Sequence, residues 1–367
     1  MDFAFSEEQQ MLRDAVASWA RDRLPEGRVA ELATSDEGWD PASLTEMAEL
    51  GWTGISFPEE VGGAGMGFLA ETVVIEELGR ALYPGPYLTS VTLAASALRS
   101  RRDYIERIVA GEAGTLAWAE PDGPYLFADL GSAGTKATAD GDGWRLDGVK
   151  DVVPDLAAGG FAVVVARAPE GLGLWVVETS GDGVEVAGLP TVDATRRLGR
   201  LKLTGAPAEL VTAPGEAERV LAGVRLRTLA GLAIEAVGVA SAAVDMARSY
   251  VGERKQFDKP IGAYQAVSHQ VADAYMAVEL ARSLAYWAAW CVDQHDDQAP
   301  AAVAAAKSAA GEAAVIACEK AIQVHGGIGF TWEHVLHRYY KRAQWIDSFE
   351  GPGARHREVV AARLLDG

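Results

Sequence analysis

Hydrophobic residues in the first third of the chain recur at helical spacing. After residue 10 they return every three or four positions, as Met11, Leu12, Val16 and Trp19. Ser6 followed by Gln9 has the form of a capping box, in which each side chain bonds the other residue's backbone N–H. A second run of the same period ends at Gly51, and a third covers Glu71 to Leu82. The pattern predicts a helical domain over residues 1–115.

The period changes to two between residues 116 and 212. Trp144 and Leu146 alternate with charged neighbours, and so do Leu201 and Leu203. Asp-Gly pairs near these runs favour tight turns. Since no helical pattern separates the strands, we expect an antiparallel sheet or a small barrel, not a parallel nucleotide-binding sheet. No Gly-x-Gly-x-x-Gly motif follows a strand in this stretch, which argues against the usual nicotinamide fingerprint.

From residue 213 onward the pattern is helical again. Long periodic runs rich in alanine cover 216–250, 265–292 and 300–325. Small side chains let helices approach each other closely, so we expect a bundle that also meets neighbouring subunits in an oligomer. The predicted fold class is α+β, with a helical N-terminal domain (1–115), an antiparallel β middle domain (116–212) and a C-terminal helical bundle (213–367).

The composition is that of a globular protein, with 49% hydrophobic and 23% charged residues among 367. A formal net charge of −19 argues against nucleic acid and anionic membranes as partners. We expect no membrane span, because no uninterrupted apolar run is long enough, and the start of the chain lacks the basic region of a signal peptide. Cys291 and Cys318 lie in alanine-rich runs and suggest buried thiols in a reducing compartment, so the cytoplasm is the expected location.

The stretch Tyr250–Gln270 joins two of the long helical runs and concentrates positive charge. Its candidate residues are Arg254, Lys255, Phe257, Lys259 and Gln265. In a strongly acidic chain such a cluster suits an anion, and an arginine can bind two phosphate oxygens at once. Solvated charges in a helix-connecting loop explain these residues equally well.

Paired glycines interrupt the last long helical run. Gly326 and Gly327 lie in QVHGGIGFTWEH, which covers residues 323–334. An anion or a ribose can approach their exposed backbone N–H groups closely. A glycine C-cap followed by a second helix starting near Thr331 explains the same residues without a ligand.

Glu350 lies in the segment SFEGPG between two predicted helices. Phe349 and Trp345 are near it in sequence, so we expect its carboxylate to be poorly solvated. Desolvation raises the pKa of a glutamate and makes its anion a stronger base. An ordinary acidic residue at a helix N-terminus is the alternative interpretation.

The remaining titratable clusters offer less chemistry. His334 and His337 are spaced i, i+3 without an evident third ligand, whereas zinc-binding helical pairs are usually spaced i, i+4, so we expect no metal site. Arg338, Lys341 and Arg342 fall on one face of the same predicted helix, where solvated charges are the expected state. No Cys/His or Ser/His/Asp set suggests a nucleophile.

Taken together, these segments resemble the acyl-CoA dehydrogenase family over the whole chain. The opening FSEEQQMLRDAV, then LGWTGISFPEEVGGAGM and VIEELGRAL, are similar to the family's N-terminal signatures. ERKQFDKPIGAYQAVSHQVAD resembles its Arg-x-x-Phe segment, and QVHGGIGFTWEH and FEGPGARHREVVAARLL resemble its C-terminal pair. Several matches in the same order, at matching separations, make the resemblance specific.

The resemblance implies a helical N-terminal domain, a middle β domain and a C-terminal four-helix bundle, with FAD bound at a subunit interface. It implies that Arg254 holds the FAD pyrophosphate of a neighbouring subunit, with Phe257 and Gln265 lining that site. The adenosine end of the cofactor would be contacted by Gln323, Gly326 and Gly327.

The resemblance also implies a reaction and its partners. Glu350 matches the family's base, which removes the proton α to an acyl-CoA thioester while a hydride leaves the β-carbon for flavin N5. Some members place the base in the first long C-terminal helix; that position here is Thr228, which makes it a candidate substrate contact. The implied partners are an acyl-CoA substrate, an electron-transfer flavoprotein as acceptor, and further subunits in a homodimer, homotetramer or heterotetramer.

Four positions depart from the family pattern: Ala119, Pro154, Leu229 and Pro352 stand where it has Thr, Thr or Ser, Arg and Thr. Proline at position 154 cannot donate a hydrogen bond from its side chain or its backbone. These departures favour a second hypothesis, a cofactor-completing subunit with little activity alone. A flavin-dependent oxygenase on the same fold is a third. Steroid side chains, branched acids and polyketide intermediates all remain open as the acyl group.

Overall fold

The structure is a computed structural model that describes residues 5–25, 27–121, 123 and 125–365. Its α-helices are α1 (Glu7–Arg23), α2 (Arg28–Thr34), α3 (Pro41–Glu49), α4 (Gly67–Arg80), α5 (Ala95–Ala97), α6 (Arg102–Val109), α7 (Ala217–Glu253), α8 (Gln265–Asp293), α9 (Ala299–His325), α10 (Leu336–Ser348) and α11 (Gly353–Leu365). Its strands are β1 (Gly114–Ala117), β2 (Lys136–Asp140), β3 (Gly143–Pro154), β4 (Phe161–Ala168), β5 (Gly171–Glu178), β6 (Val184–Leu189), β7 (Leu198–Thr212), β8 (Lys255–Gln256) and β9 (Lys259–Pro260). A π-helical segment, Leu88–Ala94, leads directly into α5.

The helix signals in the sequence are confirmed where capping residues mark them. Ser6 Oγ accepts from the Gln9 N–H at 3.2 Å, and Gln9 Oε1 accepts from the Ser6 N–H at 3.1 Å. α3 ends at Glu49 with Leu50 as its C-cap, and Gly51 follows with a positive φ of 77°. The three long alanine-rich runs correspond to α7, α8 and α9, because strong periodicity over many turns locates a helix well.

The middle sheet is mixed, so the prediction of a purely antiparallel β domain was wrong in this respect. The described strands form a seven-stranded sheet in the order β1-β4-β2-β3-β7-β5, with β6 on β7 and with β5 pairing back to β4. β1 is parallel to β4, with Gly114 opposite Phe161, and β2 is parallel to β4 at Lys136 and Arg167. Long connections let two strands enter the sheet in the same direction, which adjacent-strand reasoning does not anticipate.

The closed ring of strands encloses an apolar core. Leu146 of β3, Leu201 and Leu203 of β7, and Trp175 of β5 all belong to it, and Trp144 packs against it. The alternation seen in the sequence therefore separates the inside of a small barrel from its outside.

The chain divides into two compact units: Met1–Ala33, Phe68–Tyr83 and Leu229–Gly367 form one, and Thr34–Gly67 and Pro84–Thr228 form the other. In the first unit, α9 packs against α8, α10 and α11. The second unit contains the barrel together with helices α3 and α6. The three-segment division at residues 115 and 212 remains a prediction.

A buried carboxylate joins α1, α4 and α8 in the first unit. Glu76 accepts from Arg13 Nη2 at 3.1 Å and from Tyr286 Oη at 2.6 Å, and it also pairs with Arg282. α7 approaches α4 so closely there that a Cβ on Gly238 would lie 2.2 Å from the Glu76 carbonyl oxygen. Glycine at position 238 is therefore required by helix packing.

Two helical stretches, Ala217–Glu253 and Ala299–Phe330, are long and apolar enough to cross a membrane by length and composition. The most apolar windows of these stretches are 89% and 67% buried inside the protein. Core helices of the same length and composition meet this criterion as well, so the finding is weak evidence for a membrane span.

Candidate active site

The basic stretch after α7 folds into a short β-hairpin. Lys255–Gln256 pairs with Lys259–Pro260, and the turn residues Phe257 and Asp258 have φ values of 51° and 64°. Two consecutive positive φ values are typical of a type I′ turn, the usual two-residue hairpin connection. The Arg254 carbonyl accepts from the Ile261 N–H at 2.8 Å, which fixes the base of the hairpin. The Arg254 side chain is exposed beside it.

The hairpin and the glycine turn meet through one aromatic pair. The Arg254 N–H donates to the Tyr250 carbonyl at 2.9 Å, and the Tyr250 ring stacks on His325 with centroids 4.2 Å apart. Gly326 follows His325 directly, with a φ of 66°. A Cβ on Gly326 or Gly327 would meet nothing within 4 Å. The two segments that the sequence singled out separately are thus neighbours, with open space in front of the glycines.

The other predicted cofactor contacts are also on the surface. Gln265 is the exposed first residue of α8, and Gln323 is exposed near the end of α9. Phe257 at the hairpin tip is 87% exposed. The helix expected to start near Thr331 begins at Leu336, because a 3-10 segment and a turn follow the glycines first.

Glu350 lies between α10 and α11 and is buried, with 4% of its surface exposed. Its φ of 58° is in the left-handed region, which a glutamate rarely adopts. Such conformations cost about 1–3 kcal/mol and persist where the surrounding structure imposes them, often at functional sites. The rings of Trp345 and Phe349, 5.0 Å apart, lie on the segment that leads to it. The expected desolvation of this carboxylate is confirmed by its burial.

The basic face predicted on the helix after residue 335 is not solvated. Arg342 is fully buried, and its Nη1 is 2.5 Å from Glu235 Oε1 on α7. Arg338 is buried as well, while Lys341 Nζ lies 4.4 Å above the Trp332 ring. The sequence contained a signal for the Arg342–Glu235 pair. Glu235 is the single acidic residue in an otherwise apolar stretch of α7, and such a residue needs a buried partner.

Thr228 lies in the first third of α7 and is almost fully buried. Its Oγ1 is also buried and has no hydrogen-bond partner among the residues that the structure describes. Leu229, at a position of departure from the family pattern, is buried too. A buried hydroxyl without a hydrogen-bond partner destabilises the folded protein, unless a bound ligand supplies that partner.

A second buried ion pair joins barrel strand β3 to the segment after β1, and it was not predicted from the sequence. Lys150 Nζ is 2.6 Å from Glu120 Oε1, and the carboxylate also accepts from the backbone N–H groups of Gly134 and Thr135 at 2.6 and 2.9 Å. Burial acts to raise the pKa of Glu120, but the charge of Lys150 and these hydrogen bonds prevail and lower it to about 2. Burial lowers the pKa of Lys150 to about 8, against the opposing charge of Glu120. Lys150 is four residues after buried Leu146, and that spacing already assigns it to the inner face.

Pro154 ends β3 and offers no donor. Its carbonyl oxygen accepts from Thr115 Oγ1 at 2.6 Å, and its ring nitrogen carries no hydrogen. The hydroxyl that the family pattern has at this position is therefore not replaced by a backbone N–H.

The histidines that were considered as metal ligands are engaged in ring contacts. His334 packs on His325 with centroids 4.7 Å apart, and His337 packs on Trp332 at 4.6 Å. Burial, together with the charges of Lys341 and Arg338, lowers the pKa of His337 to about 4. Within the described ranges, no group of three or more His, Cys, Asp or Glu side chains is arranged to hold a metal ion.

Comparison with known families gives an unambiguous relationship. Residues 6–112 match the model described as the acyl-CoA dehydrogenase N-terminal domain, and residues 227–365 match the acyl-CoA dehydrogenase C-terminal domain. The chain belongs to the acyl-CoA dehydrogenase family. Members of this family are FAD-dependent flavoprotein oxidoreductases.

Relatives of this acyl-CoA dehydrogenase align over nearly its full length. It is 34% identical to the acyl-CoA dehydrogenase IpdE2 of Mycobacterium tuberculosis, over 92% of this chain and 91% of the relative. It is 30% identical to the probable acyl-CoA dehydrogenase YngJ of Bacillus subtilis, over the full length of both. The structure of the ChsE4-ChsE5 complex from Mycobacterium tuberculosis aligns over the full length of both chains, with 28% identity and a TM-score of 0.88.

The residues of this family member fit one half of FAD better than the other. An exposed guanidinium at Arg254 and an open glycine turn at Gly326–Gly327 suit a pyrophosphate and an adenosine. Pro154 and Ala119 supply no side-chain donor at two positions where the family pattern has hydroxyls. The residues present therefore suit the adenosine and pyrophosphate of FAD, and two hydroxyls of the family pattern are missing.

Proposed function

We propose that this acyl-CoA dehydrogenase introduces a double bond between the α- and β-carbons of an acyl-CoA thioester, with Glu350 as the base. The observation that carries the proposal is the burial of Glu350 on a left-handed backbone between α10 and α11. A carboxylate held dry in a strained position is suited to a demanding proton transfer.

The chain's own contribution is a base and a set of binding contacts. An α-proton of a thioester is weakly acidic, so the Glu350 carboxylate must be desolvated and aligned to accept it. FAD supplies the acceptor for the hydride that leaves the β-carbon. The contacts assigned to FAD are Arg254, Phe257, Gln265, Gln323, Gly326 and Gly327. Thr228, with its unpaired buried hydroxyl, is assigned to the substrate.

The proposal includes an oligomer, because large apolar side chains of the first compact unit are exposed. They are Phe257, Tyr275, Met276, Leu280, Phe330 and Trp332. Exposed apolar side chains of this size favour subunit contacts. A homodimer or homotetramer is the first choice, and an electron-transfer flavoprotein is the proposed acceptor of the electrons. A cytoplasmic location is proposed because Cys291 and Cys318 are both free thiols, as is usual in a reducing compartment.

The test compares Glu350→Gln with Glu358→Gln, which changes an exposed acid on α11. We expect Glu350→Gln to lose about 10²–10⁴-fold in turnover of an acyl-CoA with an artificial electron acceptor, while the flavin spectrum is retained. Glu358→Gln should keep full turnover. Undiminished turnover in Glu350→Gln removes this residue from the mechanism.

A second candidate function follows from Pro154, whose carbonyl is already bonded and whose nitrogen cannot donate. It is a cofactor-completing subunit that lends Arg254 and the glycine turn to a related partner chain. The ChsE4-ChsE5 structure is itself a complex of two different chains. Purification of the chain alone and with a related partner separates the two functions. A colourless chain that becomes yellow only with the partner supports the second function, and a fully flavinated homo-oligomer rules it out.

A further inference from the structure

An arginine-rich cleft of about 440 Å³ lies within the second compact unit. The loop from Ser56 to Val61 forms one wall, the segment from Ser96 to Ile105 forms the other, and Arg227 of α7 contributes from a third element. This volume is within the usual range for small-molecule sites. The residues that line the cleft include three arginines and one glutamate, which is unusual in a chain of net charge −19.

The inner part of the cleft holds a buried cation. Arg227 is 8% exposed, and its Nη2 donates to Ser56 Oγ at 2.8 Å. Ser96 is also buried, and its hydroxyl donates to the Thr92 carbonyl at 2.6 Å, so the guanidinium of Arg227 and not this hydroxyl is the donor available to a ligand. A guanidinium at low solvent exposure attracts an incoming anion strongly, because water screens the interaction poorly.

The outer part of the cleft carries two more guanidinium groups on a fixed segment. Arg99 and Arg102 are exposed at the rim, and Arg102 Nε also donates to Glu106 Oε1 at 2.8 Å. The residues between them are anchored on β7, because Ser100 Oγ donates to the Val211 carbonyl at 3.0 Å and Arg101 Nη1 donates to the Leu210 carbonyl at 3.1 Å. The backbone that carries Arg99 and Arg102 is therefore held in place before any ligand arrives.

The opposite wall is equally constrained. The Phe57 N–H donates to the Gly54 carbonyl at 3.1 Å, and the Gly65 N–H donates to the Phe57 carbonyl at 2.8 Å. Glu60, the acidic residue among those that line the cleft, is exposed on this wall. Its single charge leaves the lining positive overall.

We propose that this cleft binds a carboxylate group located away from the thioester, so that the enzyme's substrates are acyl-CoAs whose acyl part carries a second carboxylate. The inference rests on the proposed function. A planar guanidinium matches a carboxylate with two parallel hydrogen bonds, and Arg227 directly precedes Thr228, the candidate substrate contact. Consecutive residues of a helix point in directions about 100° apart, so the cleft lies beside the candidate substrate contact on α7 and does not include it.

The test is equilibrium binding, measured by titration calorimetry on the holoprotein, so that it does not depend on turnover. The probes are pairs of acyl-CoAs of equal chain length, from hexanoyl- to dodecanoyl-CoA, each with its ω-carboxy counterpart. At the preferred length we expect the ω-carboxy ester to bind about 10–100-fold more tightly than the methyl-terminated ester. Arg227→Gln should abolish this preference, and Arg99→Gln and Arg102→Gln should each reduce it. Arg219→Gln removes an exposed charge from the same helix and should preserve it.

Three outcomes overturn the proposal. The first is the absence of a preference at every length, and the second is a preference that survives in all three cleft variants. The third is equal weakening of both esters in Arg227→Gln together with weaker binding of dephospho-CoA esters, which assigns the cleft to a CoA phosphate. If the protein prefers the ω-carboxy esters but turns none of them over, this inference stands and the proposed dehydrogenase activity is rejected. If it turns acyl-CoAs over without such a preference, the dehydrogenase activity stands and this inference is rejected.

Discussion

Glu120 and Lys150 form a buried ion pair at 2.6 Å, across 30 residues of sequence. The Lys150 side chain has no exposed surface, and its Nζ also donates to the Trp118 carbonyl at 3.2 Å. Lys150 is on β3 and Glu120 follows β1, so the pair ties the segment after β1 to a central strand of the barrel. Its charges are compensated by each other and by hydrogen bonds, as a buried pair requires.

The first prediction concerns breaking this pair. Lys150→Met leaves the Glu120 charge buried without its partner, and we expect it to lower the free energy of unfolding by about 3–5 kcal/mol. Lys150→Met combined with Glu120→Gln removes both charges, so most of that loss should be recovered. Urea-induced unfolding of the single and double variants measures the difference.

A solvent-exposed pair in the same barrel provides the control. Lys202 Nζ lies 2.7 Å from Glu185 Oε1, and both side chains are more than half exposed. Lys202→Met should cost less than about 1 kcal/mol, because exposed pairs contribute little. Equal losses in Lys150→Met and Lys202→Met contradict the buried-pair interpretation.

The second prediction concerns acid stability. The pKa of Glu120 is about 2 in the folded protein against an ordinary value of 4.5. A lowered pKa means that the unfolded chain binds the proton more readily, so the contribution of this group is complete above pH 4.5 and is lost as the pH falls toward 2. Urea unfolding between pH 6 and 2.5 should show this loss in the wild type. The double variant at positions 120 and 150 should show a smaller decline, and an identical decline in both contradicts the assignment.

The sequence predicted the long helices because their evidence is local. A run such as α8 repeats its apolar positions over many turns, so both of its ends were located closely. The parallel pairing of Gly114 with Phe161 has no such local signature, because it depends on where a long connection returns to the sheet. Turn signals favour antiparallel neighbours, which explains why the sheet was predicted to be entirely antiparallel.

In the candidate site, too, local features could be predicted from the sequence and long-range contacts could not. The burial of Glu350 could be anticipated from its apolar neighbours in sequence, whereas the partner of Arg342 is 107 residues away on another helix. Charge on a predicted helix face gives no information about a carboxylate that a different element supplies. The contact between Tyr250 and His325, which joins the hairpin to the glycine turn, is equally non-local.

The third prediction concerns cofactor retention. Arg254→Ala removes the exposed guanidinium beside the glycine turn, and we expect FAD to bind about 10–100-fold more weakly to the assembled protein. Titration of the apoprotein with FAD, followed by flavin absorbance, measures this. Arg248→Ala is the matched control, since Arg248 is on α7, the helix that ends just before Arg254, with 78% of its side chain exposed. Full flavin content in Arg254→Ala contradicts the assigned role of the hairpin.

The last prediction separates a ligand-binding hydroxyl from a structural one. Thr228 and Thr53 are both buried, but Thr53 Oγ1 donates to the Val109 carbonyl at 2.7 Å, whereas Thr228 Oγ1 has no partner in the described part of the chain. Thr53→Val should therefore destabilise the protein by about 1 kcal/mol, because it removes the hydrogen bond to a partly buried carbonyl. Thr228→Val should leave the free energy of unfolding unchanged or raise it, because no hydrogen bond is lost within the described part of the chain. It should weaken acyl-CoA binding, because the substrate supplies the hydrogen-bond partner of this hydroxyl. Thermal unfolding and acyl-CoA titration of both variants decide the matter. If Thr228→Val destabilises the free protein as much as Thr53→Val and leaves acyl-CoA affinity intact, the hydroxyl has a structural role.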